Sequence, residues 1–302
     1  MKHWAVAAGA ALVMTASAVT AAPAVAGAAS SQAAPVAGAV YLAYRGGGVE
    51  VLTHRRTWSR QTVGGPGFVG QFSAAPGGGR VAWIDARNRL HVRSAGGDRV
   101  IAKDAAYAGP CLTPAWTADG KRIAYPVKGT ASATTVKVVG ADGRNPVKAG
   151  TTLGPCHLTW SADGRTLAGY AGDTDGVHLL TAGSPVSRRV PGVKLANHVQ
   201  SLSPDGRRVV VNAIGADAPG GDGSWPLAFT PSIYDTVTGR KIAVPVKGRV
   251  IGALYLRDGS LAIRVAGRPA NTLLVLDASG RELRRLTEPA RARTLGLLHV
   301  LS

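Results

Sequence analysis

The sequence predicts an all-β chain folded as a six-bladed β-propeller of four-stranded antiparallel blades. Three observations carry that expectation: a phrase repeated at near-constant spacing, a composition rich in turn residues and poor in helix formers, and incomplete blades at the two ends that complete one another. The phrase occurs as "FSAAPGGGRVAW" (72–83), "AWTADGKRIAY" (115–125), "TWSADGRTLAG" (159–169), "SLSPDGRRVVV" (201–211) and "ALYLRDGSLAI" (253–263). Its turn glycines, Gly78, Gly120, Gly164, Gly206 and Gly259, follow one another at 42, 44, 42 and 53 residues. A period of about 42 residues is the length of one propeller blade. Glycine occurs 40 times, whereas glutamate is confined to Glu50, Glu282 and Glu288. Such a chain favours strands and turns over helices.

The N-terminus reads as an export signal. Lys2 supplies a short basic region, residues 4–14 are apolar, and small-residue cleavage points end at Ala26 or Ala28. The apolar run falls well short of the roughly 20 residues that span a bilayer, and no later stretch is apolar enough to do so. The expected organisation is therefore a signal peptide over 1–28, a small-residue linker over 29–35 and the propeller over 36–302, with the mature chain secreted.

Blade 1 is expected from 36–65 plus 294–302. "VYLAYRG", "VEVLTH" and "WSRQTV" read as strands b, c and d without a strand a, and "TLGLLHVLS" at the end reads as a strand a without a successor. Joining them removes the open sheet edges that would otherwise pair with other chains. In each following blade an apolar strand a enters an Asp-Gly or Gly-Gly turn, which supplies the positive φ of a tight hairpin. Strand b is alternating and β-branched ("RVAWI", "RIAYPV", "RRVVVNA"). Strand c follows ("LHVRS", "TVKVVG", "VHLLT", "PSIYDT", "TLLVLD"), then a second turn and a short strand d such as "KIAVPV" or "ELRRLT".

These phrases, above all "SLSPDGRRVVV" followed by "LDASGRELRRLT", resemble the WD40-like (PD40) repeats of TolB-type propellers, over nearly all of the expected mature chain. The resemblance implies protein–protein interaction rather than chemistry. TolB itself carries an additional N-terminal domain, whereas only a short linker precedes blade 1 here.

Strand direction sorts the loops between two faces. The a–b and c–d turns share one face, where Asp and Gly serve the turn geometry. The d–a connections and b–c loops share the other, which carries the irregular segments: 127–135, 171–176 and the long insertion 213–230. Binding is expected on this second face, because long loops on a rigid scaffold are the usual place for it. The candidate ligand-face residues are His157, His198, Asp173, Asp175, Asp217, Asp222 and Trp225. Trp225 either stacks on a ligand or folds back to anchor its own loop.

The two cysteines occupy matching phrases, "GPCLTPAW" and "GPCHLTW", ahead of strand a in consecutive blades. In an oxidising compartment that register predicts a Cys111–Cys156 disulfide. A zinc set of Cys111, Cys156, His157 and His198 is the alternative, but no short zinc spacing is present, and neither a metal nor another cofactor is expected. Nor is there a nucleophile elbow, an HExxH or a phosphate loop.

The net charge of +18 attracts polyanions or keeps the exported chain soluble. The expected function is a secreted module that binds an extracellular protein, or an anionic glycan or cell-wall polymer, with nucleic acid not expected as a specific ligand. The alternative is an extracellular lyase, lactonase or glycosidase with its site at the channel mouth, which would require a metal or a carboxylate pair there.

Overall fold

A computed structural model describes residues 35–129, 133–218 and 223–302. The expected leader (1–28) and nearly all of the 29–35 linker lie outside the described residues. Six four-stranded antiparallel sheets follow one another around a ring. Blade 2 is β4 (Phe72–Ala74), β5 (Val81–Ile84), β6 (Leu90–Ser94) and β7 (Gly97–Ala102). Blade 3 is β8 (Ala115–Trp116), β9 (Arg122–Pro126), β10 (Thr134–Gly140) and β11 (Val147–Thr152). Blade 4 is β12 (Cys156–Trp160), β13 (Thr166–Tyr170), β14 (Val177–Thr181) and β15 (Arg188–Arg189). Blade 5 is β16 (Ala196–Leu202), β17 (Arg208–Ala213), β18 (Ser232–Asp235) and β19 (Lys241–Ile242). Blade 6 is β20 (Val250–Tyr255), β21 (Leu261–Val265), β22 (Thr272–Leu276) and β23 (Glu282–Thr287).

Blade 1 closes the ring as its ends predict. β24 (Gly296–Leu301) is strand a and pairs with β1 (Gly38–Arg45), followed by β2 (Gly48–His54) and β3 (Trp58–Gly64). The register runs Gly38 to Leu301, Ala39 to Val300 and Val40 to His299, then shifts at a bulge before Tyr41.

The repeated phrase gains a second physical reason here. Gly78, Gly120, Gly164, Gly206 and Gly259 all have φ between +67° and +86°, which only glycine adopts without strain. A side chain of the preceding blade also presses on several of them. Arg80 donates from Nη2 to the Gly120 carbonyl at 2.7 Å and lies over the Trp116 ring. A Cβ on Gly120 would stand 2.9 Å from that nitrogen, and one on Gly206 2.9 Å from Thr166 Oγ1. The turn aspartates are spent locally: Asp119 accepts from Thr117 Oγ1 and Lys121 N, Asp205 from Ser203 Oγ and Arg207 N.

The apolar core is likewise built between blades. Each of six buried clusters among the described residues joins two neighbours, as when Tyr170 and Leu179 of blade 4 pack with Val199 and Val209 of blade 5. The outer strand "ELRRLT" is present in full as β23, whereas that of blade 5 is shorter than the sequence suggests. "KIAVPV" forms a strand only over β19, because Pro245 has no N–H to give to a ladder. The long b–c insertion of blade 5, by contrast, is present as expected between β17 and β18.

The crossing from β23 into β24 passes through a 3-10 turn (Ala290–Thr294) built over a buried ion pair. Arg264 on β21 is 1 % exposed. It donates from Nε to Glu288 at 2.8 Å, from Nη1 to the Leu295 carbonyl at 2.6 Å and from Nη2 to the Ala292 carbonyl at 2.7 Å. Tyr41 Oη and Asn271 Nδ2 complete the shell of the Glu288 carboxylate. Removing one member of such a pair leaves the other charged and buried, at a cost of about 3–5 kcal/mol. Glu288→Ala is expected to lose that much unfolding free energy in urea titrations, and a loss below about 1 kcal/mol would show that the pair does not hold the closure.

Candidate functional site

The six inner strands surround a central channel whose two ends differ. On the face of the a–b and c–d turns it opens as a pocket of about 220 Å³. Trp116, Trp160, Tyr255 and His299 line its wall, and the exposed Arg55 and Arg257 stand at its rim. Deeper in, a smaller pocket of about 40 Å³ continues between Phe72, Leu158, Gln200 and Leu298, and ends at Trp225. Trp116, Trp160 and Tyr255 each lie four residues before their turn glycine. The repeat therefore presents aromatic rings to the channel from three of the six blades.

The far end is filled by the blade 5 insertion. Trp225 is half-buried, and its carbonyl accepts from Tyr44 Oη at 2.7 Å. Its indole packs against His157 and His198, with ring centroids 5.0 Å and 4.6 Å away. Both imidazoles are fully buried. His157 leaves strand geometry to reach this position: its φ is +46°, within a bulge between Cys156 and Thr159. Cys156 meets Cys111 in a disulfide, while His157 turns to His198.

Hydrogen bonding assigns the tautomers. Gln200 directs Nε2 towards the Leu297 and Leu298 carbonyls, so its Oε1 faces His198. His198 must then carry its proton on Nε2 and donate to that oxygen at 2.8 Å. Its Nδ1 is left as an acceptor, and His157 donates to it from Nδ1 at 2.7 Å. Nε2 of His157 has no partner within strict hydrogen-bond geometry, and the Gly223 backbone is the polar group that acts on it. The Trp225 indole N–H beside it is also unpaired.

Burial holds both imidazoles neutral. It pushes His157 well below the usual histidine range, helped by the neighbouring His198, and holds His198 down at about 4. The alternative cation set is not assembled, because both sulfurs are spent in the disulfide and the two Nδ1 atoms face each other. No group of three or more His, Cys, Asp or Glu among the described residues could hold a metal ion.

The disulfide links the connection before β8 to the first residue of β12. Cys111 therefore precedes strand a by a few residues rather than entering it, and its carbonyl accepts from His157 N at 2.8 Å. The candidate carboxylates do not join the histidines. Asp173 and Asp175 are exposed, with Asp173 accepting from Asp175 N and Asp175 paired to Arg189 at 2.7 Å. Asp217 is exposed, and Asp222 lies outside the described residues.

No family model and no curated protein matches the chain. Its fold is shared with solved structures at low identity. TolB from Acinetobacter baumannii is 12% identical over 85% of this chain and 65% of its own, with a TM-score of 0.53. The nidogen/laminin complex is 13% identical over 85% and 96%, with a TM-score of 0.50. A putative TolB from Agrobacterium tumefaciens is 15% identical over 80% and 92%, with a TM-score of 0.49. The chain thus spans under two thirds of the Acinetobacter protein, and its architecture is that of a TolB-like propeller. Among the described residues no helix is long and apolar enough to cross a membrane.

Two measurements check the plug. The disulfide closes a sequence separation of 45 residues, worth about 4 kcal/mol in the chain-entropy model. Non-reduced protein should show no titratable thiol, and the Cys111→Ala/Cys156→Ala variant should unfold with a free energy lower by about 2–4 kcal/mol. The histidines make stability pH-dependent. An unfolded histidine gains its proton below about 6.5 while the buried pair stays neutral, so stability is full above that pH and falls as the pH drops towards the folded value. For His198, held at about 4, the full loss is about 3 kcal/mol. A His157→Phe/His198→Leu variant should flatten the fall in melting temperature between about pH 7 and pH 5; an unchanged slope would assign it to other groups, such as His299, which burial also holds low.

Proposed function

We propose that the chain is a secreted binding module that receives a segment of a partner protein in its central channel, through the mouth on the a–b turn face. The observation that carries this reading is the dead-ended channel: aromatic walls, two arginines at the open rim, and Trp225 across the far end. A concave site with apolar walls and a few convergent polar groups is the ordinary form of a binding pocket. Buried aromatic contacts surrounded by a polar rim are also what concentrates binding energy in protein interfaces. The rim arginines favour a segment that carries acidic side chains beside its apolar anchor.

Export rests on the leader and on the disulfide, since stable disulfides belong to oxidising compartments. The fold comparison supports a binding role, because one similar structure is an assembly of nidogen with laminin. Of the carboxylates on which an enzymatic reading rested, the described ones, Asp173, Asp175 and Asp217, do not line the channel.

The test blocks the mouth without touching the core. Ala162 lines the open pocket on the a–b turn of blade 4. Immobilised wild-type protein and an Ala162→Trp variant, both checked for cooperative melting, are exposed to culture filtrate and envelope extract. A protein retained by the wild type and lost from the variant, and weakened by Arg257→Glu, is the expected result. Identical capture by all three baits would overturn the channel as the binding site.

A further inference from the structure

The other face carries a second concavity that the channel reading does not use. It has a volume of about 410 Å³. Its walls come from the d–a connections on either side of blade 6, the b–c loop of that blade and the insertion of blade 5. Arg249, Arg268 and Arg293 line it, and all three are exposed. No ion pair engages any of them among the described residues, whereas Arg45, Arg60, Arg89, Arg189 and Arg285 each have a carboxylate partner. Among the described residues no acidic side chain lines the pocket.

The floor removes the remaining acid from play. Arg264 and Asn271 line the pocket from below, and both are committed to Glu288 and to backbone carbonyls. The Glu288 carboxylate is thus neutralised by a buried guanidinium, and among the described residues the three outer arginines contribute uncompensated positive charge to one cavity. Clefts lined by one sign of charge focus the field and concentrate counter-ions. Guanidinium forks match planar carboxylates and tetrahedral phosphates with paired hydrogen bonds. The volume lies within the range of about 300–1,000 Å³ typical of small-ligand sites.

We infer that this pocket binds oxyanion groups of an anionic glycan, with Arg249, Arg268 and Arg293 as the ligating side chains. A carboxylated and a phosphodiester-linked glycan present the same chemistry to them. Nucleic acid fits less well, because among the described residues no aromatic ring lines the pocket to stack on a base. The inference stands apart from the channel: the two sites lie on opposite faces and share no lining residue.

The experiment compares two variants of equal charge. Arg249→Ala/Arg268→Ala/Arg293→Ala removes the pocket arginines. Arg56→Ala/Arg165→Ala/Arg207→Ala removes three exposed arginines from the turn face. Calorimetric titration at physiological salt uses an oligogalacturonate, a glycerol-phosphate oligomer and a single-stranded oligonucleotide of matched charge. The expected result is binding of at least one glycan by the wild type, weakened about tenfold or more in the pocket variant and less than about twofold in the control. Whichever glycan binds more tightly identifies the oxyanion. Equal weakening in both variants, no binding of either glycan, or tighter binding of the oligonucleotide would each overturn the proposal. Circular dichroism melts establish that both variants remain folded.

Discussion

A guanidinium sealed inside the protein fixes where the last strand lies. Arg264 sits on strand b of blade 6, yet its hydrogen bonds go to Glu288 and to the carbonyls of the turn that leads into β24. β24 is the innermost strand of the blade that begins the chain. One side chain therefore links the end of the sixth blade to the completion of the first, and Tyr41, on the strand that β24 must meet, joins the same carboxylate. Because the apolar core is divided into interfaces between neighbours, no blade buries its faces fully unless the ring is complete. The closure is thus a condition for the core rather than an addition to it.

Much of this architecture was legible because it is local and repeated. Asp-Gly turns at a fixed period report hairpins directly, and the five turn glycines have the positive φ the hairpins require. The ends were legible by subtraction, since three strands lacked an inner partner and one inner strand lacked a blade. The cysteine pair was legible because register in a propeller places equivalent positions of adjacent blades side by side. The extent of the outer strands was less so: β15 and β19 are two residues each, where packing and proline, not pattern, set the length.

What could not be read was anything that depends on where a long loop travels. Trp225 lies in an insertion with no periodicity, and nothing in its sequence says that it crosses to the channel and meets two histidines from different blades. His157 sits in a bulge with a positive φ, and nothing in the neighbouring residues announces that backbone conformation at a histidine. The channel aromatics share a register, four residues before three of the five turn glycines, but they look like ordinary core residues until the mouth is seen to be open. Nothing in the sequence marks Arg264 and Glu288 as a buried pair, because their burial is a property of the closed ring.

The pairing of β1 with β24 also sets an order of events. Blades 2 to 6 are hairpins of adjacent segments and can form as soon as their own residues are available, whereas Gly38 must wait for Leu301. Contacts so distant in sequence carry a large loop-closure entropy and slow the step that makes them. Until that step, three strands at the start of the chain have an unoccupied inner edge, which another copy's final strand could fill as well as the chain's own. Closure by the chain's own last strand therefore competes with exchange between copies, and chain concentration during folding decides between them.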